Sequence, residues 1–231
     1  MNGAGRKKGW GGALVLLAMG LSLAGCRYGA HTDGGAAYVR LINAVPDAGG
    51  LDVSVDGKRV WKRSAFRSST GYQAVSSGTY PVEVDAAGPG TTLLTEPLSF
   101  EKQRDYTLLA LGQVGRNGVP ARVQVLPEEK TPDLEEGKAS LRLINAAPGT
   151  PALDLVVNMI VGVKAVAYGR RSAPLILSGG RYDLQLAAAD TPNMLVGPVN
   201  LNLVPGKSYT LVAMGRASDQ SLSLEVYPDK P

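Results

Sequence analysis

The chain has 231 residues, with 24 Lys and Arg against 20 Asp and Glu, one Cys and one His, for a formal net charge of +4. One cysteine excludes an intramolecular disulfide, and one histidine excludes a multi-histidine metal centre or active site. Aromatic residues make up only 6% of the chain while Gly and Pro number 29 and 15. This composition suits many short strands joined by tight turns, and the length suits one large domain or two ordinary ones.

The N-terminus reads as an export signal over residues 1–25. Arg6, Lys7 and Lys8 form a charged region, and an apolar run from Ala13 to Leu23 follows. That run is too short for a span of about 20 residues and has the length of a signal h-region. It ends in Leu23-Ala24-Gly25-Cys26, a tetrad that resembles the lipobox of bacterial lipoproteins, which implies a lipid (palmitate and related acyl groups) on the Cys26 sulfur and a membrane partner through that anchor. Arg27 stands where an Asp would signal inner-membrane retention, so the same resemblance implies the outer membrane of a Gram-negative cell envelope. Cleavage removes three cations and no acid, leaving a body near +1. A nearly neutral body offers no general electrostatic case for nucleic-acid binding.

Residues 26–37, small and polar, are expected to form a tether, and the only His, His31, lies there as a solvent-exposed residue. An internal repeat follows. Arg40-Leu41-Ile42-Asn43-Ala44-Val45-Pro46 recurs as Arg142-Leu143-Ile144-Asn145-Ala146-Ala147-Pro148, and 8 of the 13 residues from 40 to 52 are identical at an offset of 102. Gly78-Thr79-Tyr80 answers Gly180-Arg181-Tyr182, and Tyr106-Thr107-Leu108-Leu109-Ala110-Leu111-Gly112 answers Tyr209-Thr210-Leu211-Val212-Ala213-Met214-Gly215. The copies span residues 38–127 and 139–231, and the acid-rich segment 128–138 reads as a solvated linker.

Within each copy apolar and polar residues alternate, as in Leu51-Asp52-Val53-Ser54-Val55, where Asp56-Gly57 then supplies a tight hairpin turn. Thr79 to Asp85, Asp183 to Leu186 and Val199 to Leu203 alternate likewise. Seven or eight strands per copy are expected, hence an all-β chain of two tandem antiparallel immunoglobulin-like β-sandwiches. The pattern Val-Arg-Leu-Ile-Asn-Ala-x-Pro, then Leu-Asp-Val-x-Val-Asp-Gly, then Gly-Thr-Tyr-x-Val-x-Val, with Pro205-Gly206-Lys207-Ser208-Tyr209-Thr210-Leu211-Val212-Ala213, resembles the bacterial domain-of-unknown-function family 4397. That resemblance implies an exported protein, often a lipoprotein with tandem copies, and implies no activity or cofactor. Copy one departs from it at Lys102-Gln103-Arg104-Asp105, and copy two at Asn158-Met159-Ile160, where Asp-Gly is expected.

Four sets of residues are candidates for a role. Arg40 with Asp52, and Arg142 with Asp154, recur on the first two strands of each copy and are expected to form ion pairs across neighbouring strands. One Asp per copy does not make the converging carboxylates that acid–base chemistry needs. Tyr106 and Tyr209 sit where a tyrosine corner would tie a loop to the sandwich. Gly206-Lys207-Ser208 is not a phosphate loop, because Leu201 replaces the required Gly and a strand follows. The segment 58–67 carries Lys58, Arg59, Lys62, Arg63 and Arg67 around Trp61 and Phe66. As an exposed loop it would grip anionic groups by charge and stack a sugar on an aromatic ring; the competing expectation puts Trp61 and Phe66 in the core. Copy two has the weaker set Lys164, Tyr168, Arg170 and Arg171. The functional expectation is a non-enzymatic, lipid-anchored envelope protein without cofactor or metal, acting as a structural or binding module with an envelope protein or glycan partner; the alternative is a carbohydrate- or anionic-glycan-binding accessory protein that uses the basic aromatic segment 58–67.

Overall fold

A computed structural model describes residues 35–87, 90–115, 118–128 and 133–230. The signal peptide, Cys26 and His31 lie outside them. Copy one contributes eight strands: β1 (Ala36–Asn43), β2 (Leu51–Val55), β3 (Lys58–Ser64), β4 (Gln73–Ser76), β5 (Gly78–Ala86), β6 (Thr91–Phe100), β7 (Asp105–Leu111) and β8 (Arg122–Pro127). Copy two repeats them as β9 (Lys138–Asn145), β10 (Leu153–Val157), β11 (Ile160–Val166), β12 (Leu175–Ser178), β13 (Gly180–Ala188), β14 (Met194–Leu203), β15 (Ser208–Met214) and β16 (Ser223–Pro228). The first strand therefore takes Ala36 and Ala37 from the expected tether.

Each copy is a sandwich of two four-stranded sheets, ordered β4-β1-β7-β8 and β3-β2-β5-β6 in copy one and β12-β9-β15-β16 and β11-β10-β13-β14 in copy two. Among the described strands all pairs are antiparallel except β1 with β7 and β9 with β15, which run parallel. This departs from the purely antiparallel sandwich expected. Alternation sorts the side chains as expected: Leu41, Leu51, Val53, Val82, Val84, Leu108 and Ala110 close the first core, and Leu143, Leu153, Leu155, Leu184, Leu186, Leu211 and Ala213 the second.

The central strands do not alternate. From Arg40 to Asn43 and from Tyr106 to Leu111 every residue is buried, and β9 and β15 behave alike. The reason is a third core. Ile42, Leu109 and Leu111 on the outer face of one central sheet meet Ile144, Val212 and Met214 on the other, with Tyr227 and the half-buried Phe66, Leu126 and Tyr168 at the margin. The sandwiches thus pack sheet against sheet. Cross-copy contacts fix the sense of packing. Lys230, which follows the residue bonded to the first residue of β15, lies 3.2 Å from the Tyr38 ring centroid at the start of β1. At the other end Arg67, whose N–H bonds the carbonyl of Asn43, the last residue of β1, donates to the Ser221 carbonyl (2.5 Å) and lies 3.7 Å from Glu225, which pairs with Val212 towards the end of β15. The starts of β1 and β9 therefore share one pole of the molecule.

Two repeated polar residues shape each copy. The buried Asn43 donates to the Ser64 carbonyl (2.8 Å) and accepts from Val45 N–H (2.9 Å), and Asn145 does the same with Val166 (3.0 Å) and Ala147 (3.1 Å). Asp52 accepts from Arg63 N–H and Asp154 from Ala165 N–H, both at 2.7 Å. Arg63 and Ala165 have φ of 49° and 52°, at the register shifts between β2 and β3 and between β10 and β11, so each Asp fixes a bulge. The expected Arg40–Asp52 and Arg142–Asp154 ion pairs do not form, because β1 and β2 belong to different sheets and Arg40 points away from the sandwich core. The turn of copy two keeps its geometry without Asp-Gly: Asn158 and Met159 have φ of 47° and 67°, against 52° and 70° for Asp56 and Gly57. Replacing Asn145 by Ala leaves a buried carbonyl and a buried amide without partners. Chemical denaturation is expected to show a loss of about 2–4 kcal/mol.

Candidate functional site

The segment 58–67 is not a loop. Its first seven residues form β3, an edge strand of its sheet, and alternation turns Trp61 inward to the first core, where it is 8% exposed. Phe66 is half-buried against the third core. Trp61 thus lies in the core and Phe66 only at the margin of one, so the described segment presents no fully exposed aromatic ring for stacking. What remains outside is a row of cations. Lys58, Arg59, Lys62, Arg63 and Arg67 are exposed, but Arg59 reaches Asp52 at 3.5 Å, and Arg67 is held by Glu225 (3.7 Å) and the Ser221 carbonyl (2.5 Å). Charge on an edge strand also has a structural use, since it blocks pairing with a stray strand.

In copy two the equivalent edge, β11, carries Ile160, Val161, Gly162 and Val163 before Lys164. An open groove of about 410 Å³ runs between it and the segment 170–175, with Lys164 and Arg170 at its wall. Arg171 of this wall donates to the Pro127 carbonyl (3.1 Å). Among the described residues no acid lines this groove, and the shallow one on β13 and β14 holds a single acid, Asp183. No group of three His, Cys, Asp or Glu comes together among the described residues either.

The groups that do converge are ones the sequence pattern separates. Arg40, 2% exposed, donates to Thr107 Oγ1 (2.8 Å), to the Pro228 carbonyl (3.0 Å), to Thr210 Oγ1 (3.3 Å) and to Asp229 Oδ1 (2.7 Å). Glu128 Oε1 lies 3.0 Å from the same guanidinium, and the Tyr72 ring stacks beneath it at 4.9 Å. Glu128 also accepts from Tyr72 (2.8 Å) and from Thr107. It is thus the counter-ion of a buried cation and not a solvated linker residue. Burial pushes the Tyr72 phenol well above its ordinary range; Arg40 opposes that shift and the Glu128 carboxylate adds to it.

This cluster obeys the repeat. Arg40, Thr107 and Glu128 of copy one answer Arg142, Thr210 and Asp229 of copy two, each acid following a strand-end proline. The partners are shared unequally. Arg40 receives both acids, whereas Arg142, 4% exposed, comes only within 3.9 Å of Asp229 Oδ2, and its Nε has no hydrogen-bond partner among the described residues. Lys230 closes the cluster towards solvent by pairing with Asp105 at 3.5 Å. Chemically it is a balanced pair of guanidiniums and carboxylates sealed between two sheets, suited to holding the sandwiches in one register. Tyr106 and Tyr209 lie outside it: their hydroxyls accept from Glu101 N–H (3.0 Å) and Val204 N–H (3.2 Å), five residues upstream.

The fold and its sealed cluster define a class: a tandem all-β protein whose two immunoglobulin-like sandwiches pack face to face. The chain belongs to the family described as "Domain of unknown function (DUF4397)", whose model matches residues 37–156 and 139–231. None of the curated proteins matches the sequence. Among solved structures it is similar to a family CBM26 module from Eubacterium rectale Amy13K in complex with maltoheptaose, at 11% identity over 85% of this chain and 98% of that one, with a TM-score of 0.26. It is also similar to a leucine-rich repeat protein from Bacteroides thetaiotaomicron, at 12% identity over 80% of this chain and 26% of that one, with a TM-score of 0.20. TM-scores this low transfer neither a site nor a ligand to this chain.

The unequal sharing predicts unequal substitutions. Arg40→Met strands two buried carboxylates and is expected to cost about 3–5 kcal/mol, whereas Arg142→Met is expected to cost less than half as much. Urea titrations of the two variants check the order.

Proposed function

We propose that this chain is a lipid-anchored, non-enzymatic protein of the bacterial cell envelope, a two-sandwich module held on a short tether at the outer membrane and acting by structure or by binding. The observation that carries the reading is the tetrad Leu23-Ala24-Gly25-Cys26, in which the only thiol of the chain directly follows the small residues of a peptidase site. The described residues support a non-enzymatic role, since Asp52 and Asp154 are both committed to backbone amides and the buried acids to guanidiniums. Palmitate labelling in cells is expected to mark the wild-type chain and not Cys26→Ser, which should also leave the membrane fraction. A labelled Cys26→Ser variant refutes the anchor.

A second reading rests on the exposed row of cations in β3, which copy two does not repeat. It is binding of an anionic envelope glycan by charge alone, without stacking. Lys62→Glu with Arg63→Glu is expected to weaken binding of lipopolysaccharide or peptidoglycan fragments at least tenfold. Titration that finds affinity unchanged removes this reading.

A further inference from the structure

The two copies differ most sharply at one pole. The hairpin between β10 and β11 ends in Met159 and Ile160, which are 78% and 72% exposed, and the turn between β14 and β15, at the same end of the sheet, opens with Val204, 45% exposed. At the equivalent positions copy one has Gly57, Lys58 and Glu101. Three polar or glycine positions of one copy are therefore apolar in the other, on two separate turns. The exchange is not conformationally free: Met159 occupies the left-handed region at φ 67°, where copy one has glycine at φ 70°. Such a residue needs a reason that backbone preference does not supply.

Both turns lie at the same end as the start of the first strand. Asn158 N–H bonds the Asp183 carbonyl near the beginning of β13; Gly179 N–H bonds Gly137 and Gly206 N–H bonds Lys138, at the beginning of β9. The starts of β9 and β1 share this pole through the Lys230–Tyr38 contact. The described chain begins there too, at Gly35 beside Lys102. From Cys26 to Gly35 is nine residues, at most about 30 Å when extended. A lipid on Cys26 thus roots the folded chain at this pole, by a tether of at most about 30 Å.

We propose that Met159, Ile160 and Val204 form a second membrane contact, inserting into the lipid surface to which Cys26 tethers the chain. The inference rests on the anchor reading. On the copy-two segments of this pole, Lys138, Arg181 and Lys207 stand against Glu135, Glu136 and Asp183, so the inference rests on apolar area and not on anionic lipid. The anchor makes such a small patch sufficient, because tethering turns its binding into an intramolecular event at high effective concentration. The occupant is therefore a lipid surface, and the pole faces down.

The test uses the full lipidated chain reconstituted into phosphatidylethanolamine–phosphatidylglycerol vesicles, with bimane attached at Ile160→Cys or at Ser218→Cys, an exposed position in the turn after β15 at the opposite pole. Nitroxide-labelled lipid is expected to quench the label at position 160 at least threefold more than at 218. In the Met159→Gly, Ile160→Lys variant, which restores the residues of copy one, quenching of a label at Val204→Cys should fall by at least half. Equal quenching at 160 and 218 with palmitate present on Cys26 overturns the contact and leaves the anchor standing. Absence of palmitate overturns the anchor reading, and the contact with it.

Discussion

The molecule depends on a guanidinium buried where two proteins of this fold would ordinarily show water-facing sheets. Arg40 cannot be stripped of water alone, and the chain satisfies it with two carboxylates, two threonine hydroxyls, a carbonyl and a ring drawn from both copies. Neither sandwich by itself provides that set. Copy one holds Thr107, Glu128 and Tyr72, and copy two holds Thr210, Pro228 and Asp229. The apolar contacts of Ile42, Leu109, Ile144 and Val212 around it supply attraction without direction. The ionic cluster supplies direction, because a slip of one residue along either strand would leave charges buried and unpaired.

Duplication explains how such a cluster arises, and divergence explains its lopsidedness. Each copy carries Arg, Thr and an acid at matching positions, so an approximately two-fold arrangement brings two of each together. In a chain the symmetry need not be kept. Asp229 is shorter than Glu128 by one methylene and leans to Arg40, leaving Arg142 with a contact at 3.9 Å. The same freedom operates on the surface, where copy one guards its edge strand with cations and copy two leaves the matching strand apolar.

Much of the sandwich was legible in the sequence because alternation is a local signal. Strands such as Leu51–Val55 and Gly78–Ala86 show their inward face in every second residue. The bulge and the Asn43 loop were visible as repeated residues, although their partners are backbone groups of other strands and carry no letter of their own. Repetition points to the wrong ion pairs for the same reason: Arg40 and Asp52 repeat together, yet strand order decides who meets whom, and β1 and β2 part into different sheets. Trp61 sits in a segment whose cations mask its alternation, and only its place in β3 turns it inward.

One signal for the packing of the copies was present and is general. A sandwich strand with one wet face alternates, but Thr107 to Leu111 reads Thr-Leu-Leu-Ala-Leu and Thr210 to Met214 reads Thr-Leu-Val-Ala-Met, nearly continuous apolar runs of strand length. Such runs belong to strands covered on both sides. Occurring once in each copy, at matching positions, they require two covering surfaces, and the most economical cover for each is the other. The lone Arg at the matching end of each neighbouring strand then has to lie within that contact, and its counter-ions must come from residues that sequence spacing places elsewhere. The acid after each strand-end proline, Glu128 and Asp229, is the repeated feature that meets this requirement, so the boundary between fold and linker lies after those acids and not before them.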